Sequence, residues 1–225
     1  MSIRCTREGR LLDVVLDRPP VNALNGELYD ALAEVFDSAT EEDVLLLRSA
    51  TRHFCSGQDL AEYTATDDGA EAIAQLRRGA AAITGALRCR APIVAAVHGA
   101  AIGAGALLAC SADVLIASDD AWLSLPELQV GISIGGAVAS RALGGALSRR
   151  MLLTGERVAA AQLAEVGAAR VVTRVELDES AFAAARAVAA LEPSLVSLAR
   201  STWGAGEREA TARAYEHEIE AFVAR

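Results

Sequence analysis

"APIVAAVHGAAIGAGALLACSADVLIAS" (residues 91–118) holds the alternation that decides the fold. Pro92 opens an apolar run to Gly99 that reads as a buried strand. A glycine-rich turn follows, and a helix of small and apolar residues starts near Gly103-Ala104-Gly105 and runs to about residue 112. "DVLIAS" (113–118) is a second buried strand. A strand, a helix and a second strand in alternation make part of an α/β core.

Outward from this unit the alternation continues. "LLDVVLD" (11–17) reads as a strand ended by Arg18-Pro19-Pro20. "NGELYDALAEVFDSA" (25–39) places Leu28, Leu32, Val35 and Phe36 at helical spacing. "DVLLLRSA" (43–50) is a buried strand, and a loop from Cys55 to Leu60 follows it. Residues 62–69 are expected to be mobile and 70–90 helical. After about residue 135 the pattern is helical, apart from "ARVVTRV" (169–175). The reading is an α/β core over 1–175 and a helical C-terminal segment over 176–225, with no linker and no repeat visible in the residues.

Composition narrows the classes. Of 225 residues 52% are hydrophobic, enough for a sizeable core. Aromatics are scarce at 4%, which suits closely packed, alanine-rich helices. The net charge of −9 argues against a nucleic-acid partner, which calls for a basic patch. All 21 basic residues are arginine, and a few of them suffice to hold an anionic ligand locally. Cys5, Cys55, Cys89 and Cys110 lie far apart, so neither a metal site nor a redox pair is expected. The polar N-terminus "MSIRCTREGR" has no apolar signal core, and no uninterrupted apolar run reaches spanning length. A cytoplasmic protein with no membrane partner is expected.

Two glycine-bearing turns stand out: "FCSGQDL" (54–60) and "HGAAIGAGALL" (98–108). Glycine admits backbone angles that other residues avoid, and a helix start leaves N–H groups unpaired. Either turn is also what a plain strand-to-helix loop or a tight helix contact needs. The second is not a dinucleotide fingerprint, because the full spacing and the following acidic residue are lacking, and the absence of lysine excludes a P-loop.

Taken together, "DRPPVNALNGEL" (17–28), "HFCSGQDLAEY" (53–63), the 91–118 stretch, "LSLPELQVGISIGG" (123–136) and "LLTGERVAAAQLAEVGAARVV" (152–172) resemble the crotonase superfamily, the enoyl-CoA hydratase/isomerase group. The likeness covers nearly the whole chain. It implies a spiral core of repeated ββα units with a helical C-terminal extension, and an acyl-CoA substrate with no cofactor beyond the coenzyme A of the thioester. It also implies a homotrimer or a dimer of trimers. Relatives usually continue past a helix like "AYEHEIEAFVAR" (214–225), so the far wall of the acyl pocket is left in doubt.

Carried over residue by residue, the resemblance implies backbone N–H donors at Gln58 and Ala104, forming an oxyanion hole for a thioester enolate. Of the two glutamates of the family's hydratases, the first position is Leu107 and the second is Glu127. Read alone, Glu127 is also a helix first-turn carboxylate after Pro126. A single carboxylate resembles the arrangement of 3-enoyl-CoA to 2-enoyl-CoA isomerases. The further acid of dienoyl isomerases falls on Gly135. Enoyl-CoA hydratase and acyl-CoA decarboxylase remain alternatives, as does a non-catalytic acyl-CoA-binding or partner-binding homologue.

Arg18 lies where the family approaches coenzyme A, and Arg52 is a weaker candidate. Asp59 is expected to stabilise its loop beside the substrate, and Trp122 to narrow the acyl tunnel or simply fill the core. Glu62, Asp67 and Asp68 read as a solvated charge run that can also supply a substitute acid. His98 reads as a packed, hydrogen-bonded residue and His53 as an exposed one.

Overall fold

The structure is a computed structural model that describes residues 3–64 and 69–225. The expected mobile stretch therefore lies partly outside the described residues, and Asp67 and Asp68 lie wholly outside them.

The main sheet contains β1 (Ile3–Glu8), β2 (Leu11–Leu16), β3 (Val44–Ser49), β4 (Ile93–Val97), β6 (Val114–Ser118) and β9 (Arg170–Val172), side by side in that order. β1 runs antiparallel to β2, and every later neighbour is parallel. The central strands are buried on both faces, which is why they read as continuous apolar runs. Alternation still sorts their side chains. Leu45, Leu47, Ile93, Ala95 and Val97 face the larger core, while Val44, Leu46, Val94 and Ala96 face a second, smaller one.

Helix α1 (Gly26–Ser38) lays Leu28, Tyr29, Leu32 and Phe36 into the larger core. Its first amides are capped twice. Asn25 Oδ1 accepts from the Leu28 N–H at 3.1 Å, and Glu62 Oε2 accepts from the Gly26 N–H at 2.9 Å. Glu62 belongs to α2 (Leu60–Thr64), which precedes α3 (Gly69–Arg88).

A second, smaller sheet joins β5 (Ala100–Ile102), β7 (Trp122–Ser124) and β8 (Val158–Ala159). Single bridges extend it from Ala101 to Cys55 and from Gln58 to Leu24. Each long strand thus hands the chain to a short extended piece, which hands it to a helix. β3 leads through 55–58 to α2 and α3, and β4 leads through β5 to α4 (Ala104–Ser111). β6 leads through β7 and a 3₁₀ turn (Glu127–Val130) to α5 (Gly136–Thr154). This is the spiral of ββα units that the resemblance implied. The short strands were not separately legible because each has only two or three residues.

Helix α6 (Ala160–Glu165) leads to β9. α7 (Leu177–Ala189) then covers the second face of the main sheet through Leu177, Ala181 and Ala185. The division expected at residue 175 thus falls just before a helix that packs on the sheet. α8 (Pro193–Ala199) and a π-helical turn (Arg200–Gly204) lead into α9 (Ala205–Val223), which packs on α3 and α5 and buries Tyr215 and Ile219. Glu218 on α9 accepts from the Gly135 and Ala137 N–H groups at 2.7 and 2.8 Å, capping α5 from a distant part of the chain. Among the described residues no single helix is long and apolar enough to cross a membrane.

Candidate active site

Gln58, Ala104 and Glu127 occupy equivalent places in three successive units, just where the short extended piece gives way to a helical turn. Backbone pairing fixes the first of them. The Leu24 N–H donates to Gly57 O at 2.7 Å, and the Asp59 N–H donates to Leu24 O at 2.9 Å. Extended residues send alternate amides to opposite sides, so the Gln58 N–H points away from Leu24. Ala104 is the first residue of α4, where an N–H has no partner within its helix. Neither amide donates to another backbone group among the described residues.

Two glycines let these turns meet. At Gly57 φ is +83°, and a Cβ would fall 2.6 Å from Ile102 O and 3.5 Å from Ala104 N. At Gly103 φ is +54°, and a Cβ would fall 2.7 Å from Glu127 Oε1. Side chains at either place would separate the first turn from the second, or the second from the carboxyl.

Gln58, Ala104, Leu107 and Glu127 line one cavity of about 60 Å³, with Tyr29, Leu76, Gly79, Ile132, Ile134 and Tyr215. Glu127 as a whole is only partly buried. Its Oε2, however, is shut away from solvent with no hydrogen-bond partner among the described residues. Burial pushes its carboxyl up to about 7, against a smaller opposing pull from its own backbone N–H. Gln58 Nε2 is likewise buried without a partner. Leu107 is 1% exposed and lies against Gly135, where a Cβ would meet Leu107 Cδ2 at 3.2 Å. That corner of the cavity is apolar.

The structure separates the remaining sequence candidates from the cavity. Arg18 and Asp59 form an ion pair at 2.7 Å, and a second Arg18 nitrogen donates to Ala23 O at 2.8 Å. Together they clamp the 18–24 loop onto the Gln58 turn, and neither lines the cavity. Asn22 completes the clamp with its side chain on Ser49 Oγ and Phe54 O. Trp122 lies outside the cavity and carries Arg157 over its ring at 4.1 Å. Arg52 is exposed. Glu62 is spent on the α1 cap. His98 is buried with Nε2 on Thr51 O at 2.8 Å, as expected. His53 is not exposed as expected. It is half-buried, and its Nδ1 accepts from the Ala100 N–H at 3.2 Å.

Sequence reasoning missed Tyr29 and Tyr215. Both are buried, and burial pushes both phenols up, with Glu127 a smaller contributor in each case. Tyr29 was legible only as one more residue of α1's buried face. Tyr215 lies in the helix beyond which a missing wall was expected. Through Tyr215, α9 contributes to the wall of this cavity.

A spiral of ββα units on a mostly parallel sheet is the architecture of the crotonase superfamily. The chain belongs to the enoyl-CoA hydratase/isomerase family, which it matches over residues 6–224, and so to a family of acyl-CoA enzymes. It is 34% identical over 200 residues to a (7aS)-7a-methyl-1,5-dioxo-2,3,5,6,7,7a-hexahydro-1H-indene-carboxyl-CoA hydrolase of Mycobacterium tuberculosis, covering 87% of this chain and 81% of that protein. It is 33% identical over 213 residues to a carnitinyl-CoA dehydratase of Proteus mirabilis, covering 91% and 80%. Among solved structures, an enoyl-CoA hydratase/isomerase from Xanthobacter autotrophicus Py2 superposes with a TM-score of 0.89 at 30% identity, covering 100% of this chain and 87% of that one. One from Mycobacterium paratuberculosis gives 0.88 at 25% identity, covering 99% and 92%.

Proposed function

We propose that this protein moves a proton at C2 of an acyl-CoA, with Glu127 as acid and base and the Gln58 and Ala104 amides receiving the thioester oxygen. The observation that carries this reading is a carboxyl with a pKa of about 7 sharing a cavity with two amides that have no backbone acceptor. Near neutral pH such a group is present in both forms, so it can take a proton and give it back. Two fixed donors favour the enolate oxygen, a single good one by roughly 3–4 kcal/mol.

The reaction that best fits one carboxylate is isomerisation of a 3-enoyl-CoA. Glu127 takes the C2 proton, and the electron pair passes to the thioester oxygen between the two amides. Collapse of the dienolate draws the same proton onto C4, leaving a C2–C3 double bond. Leu107, buried in the lining of the same cavity, offers nothing to hold a water. The names of the two curated relatives favour a second reading, in which the same carboxylate serves elimination or hydrolysis. Initial rates on 3-hexenoyl-CoA and 2-hexenoyl-CoA separate the two. Faster isomerisation than hydration is expected, and robust hydration would overturn the isomerase assignment.

The chain is also proposed to assemble as a homotrimer or a dimer of trimers. Exposed Leu195, Leu198 and Trp203 on α8 and the π-helical turn support a face that meets another copy. Light scattering on the eluted protein tests this, and a monomer at micromolar concentration would refute it.

A further inference from the structure

Gln58 contributes two different groups to the cavity. Its backbone N–H has a role in the reading above, but its side-chain amide has none. Nε2 is buried, faces no acceptor among the described residues, and belongs to a residue that lines the cavity with Glu127. A buried donor left without a partner costs stability, so such a group marks a place where an acceptor is meant to arrive. Glu127 Oε2, in the same cavity, is the second polar atom in that condition. Tyr29 and Tyr215 add two phenols. The proposed proton transfer accounts for Glu127, but a plain hydrocarbon chain leaves Gln58 Nε2 without an acceptor, and an apolar side chain there would avoid its desolvation.

The charge of the lining narrows the acceptor. Among the described residues no arginine or histidine lines the cavity. A carboxylate or phosphate on the acyl chain would be buried there without a counter-charge, beside a residue that ionises near neutral pH. A neutral oxygen meets no such penalty. Nε2 lies only a few bonds from the amide assigned to the thioester oxygen, so the acceptor belongs a short way along the chain from that carbonyl.

We infer that the thioester taken by this site carries a neutral oxygen, hydroxyl or carbonyl, on its acyl chain beyond C2, and that Gln58 Nε2 receives it. This rests on the proposed acyl-CoA reading and names the substrate class within it. Gln58 is thereby a specificity-determining residue through its side chain, independently of its backbone donor. The relevant substitutions keep the backbone amide.

The test is calorimetric titration of the full chain with hexanoyl-CoA and its 3-hydroxy, 3-oxo and 5-oxo derivatives. At least one oxygenated ligand is expected to bind roughly tenfold more tightly than hexanoyl-CoA, the size of one net hydrogen bond. In Gln58→Met that ratio is expected to fall to about one. Gln58→Glu separates the two oxygens, because a hydroxyl can donate to the new carboxylate and a carbonyl cannot. Circular dichroism establishes that each variant is folded, and Gln58→Asn, which withdraws Nε2 with the least change of chemistry, stands in for a variant that is not. Equal affinity for all four ligands in the unmodified protein would overturn the inference and leave the acyl-CoA reading standing. An unchanged ratio in Gln58→Met and Gln58→Asn would overturn the assignment to Gln58. Failure of every ligand to bind, hexanoyl-CoA included, would overturn both.

Discussion

The two walls of the cavity are built in different ways. One is made of strand ends. Gln58, Ala104 and Glu127 each follow a short extended piece of the small sheet and are held by backbone pairing and by glycines that let the turns touch. The other is made of helix sides and a turn. Tyr215 comes from α9, and Ile132 and Ile134 come from the segment before α5, with Glu218 tying α9 to the start of α5. In the proposed function the first wall carries the chemistry, because backbone donors and a buried carboxyl need fixed positions. In the same proposal the second gives shape, because side chains on a docked helix exclude water and would bound the acyl chain. The difference teaches where substitutions should alter reaction and where they should alter fit.

The largest expected effect breaks the first wall at its acid. Glu127→Ala should lower the isomerisation rate by about 10²–10⁴-fold, the usual contribution of a general acid–base group. A loss under tenfold would move the chemistry to another residue.

Burial of the same carboxyl also makes stability depend on pH. Its folded pKa of about 7 lies above its ordinary value of 4.5, so between those values the folded chain keeps a proton that the unfolded chain releases. Stability should therefore fall as pH rises from about 4.5 to about 7, by up to roughly 3 kcal/mol. Glu127→Gln should flatten this slope and leave the variant more stable than the parent at pH 8. Urea midpoints at pH 5 and pH 8 for both proteins measure it. Parallel pH dependence in the two would mean that the carboxyl is not held in its neutral form.

Gly57→Ala sharpens the comparison by straining the first wall without touching a charged group. Positive φ and a Cβ 2.6 Å from Ile102 O should cost roughly 1–3 kcal/mol of stability and displace the Gln58 amide. Denaturant melts together with isomerisation rates should show both losses. A folded variant with full activity would remove the close approach of the two turns from the mechanism.

The smallest effect belongs to the second wall. Glu218→Ala uncaps α5 and loosens α9, which should cost about 1 kcal/mol. Preference among acyl chain lengths should change more than the rate on the best substrate. A rate loss as large as that of Glu127→Ala would mean that the two walls do not divide chemistry from fit.

The walls also differed in how legible they were. The strands 11–17, 43–50, 92–99 and 113–118 were readable because burial on both faces writes a continuous apolar run. The Gln58 and Ala104 turns were readable because glycine, strand and helix start are neighbours in sequence. β1 was missed because its side chains are mostly exposed and its pairing with β2 is a backbone matter. Tyr215 and Glu218 were missed because their partners lie on distant elements, and nothing local in "AYEHEIEAF" distinguishes a buried tyrosine or a remote cap from an ordinary helix face. Asp59 was read as a residue that stabilises its loop beside the substrate, and its ion pair with Arg18 holds that loop; the pairing itself was not legible, because the two residues lie far apart in sequence.

The central claim, that Glu127 exchanges a proton at C2 of a bound thioester, is tested most directly by deuterium incorporation at C2 of hexanoyl-CoA in heavy water, followed by mass spectrometry across pH 5 to 9. Incorporation by the unmodified protein is expected to rise with a midpoint near 7 and then level off, since the carboxylate is the form that accepts the proton. In Glu127→Gln it should fall to the uncatalysed rate. Incorporation that persists in Glu127→Gln with the same midpoint would contradict the claim.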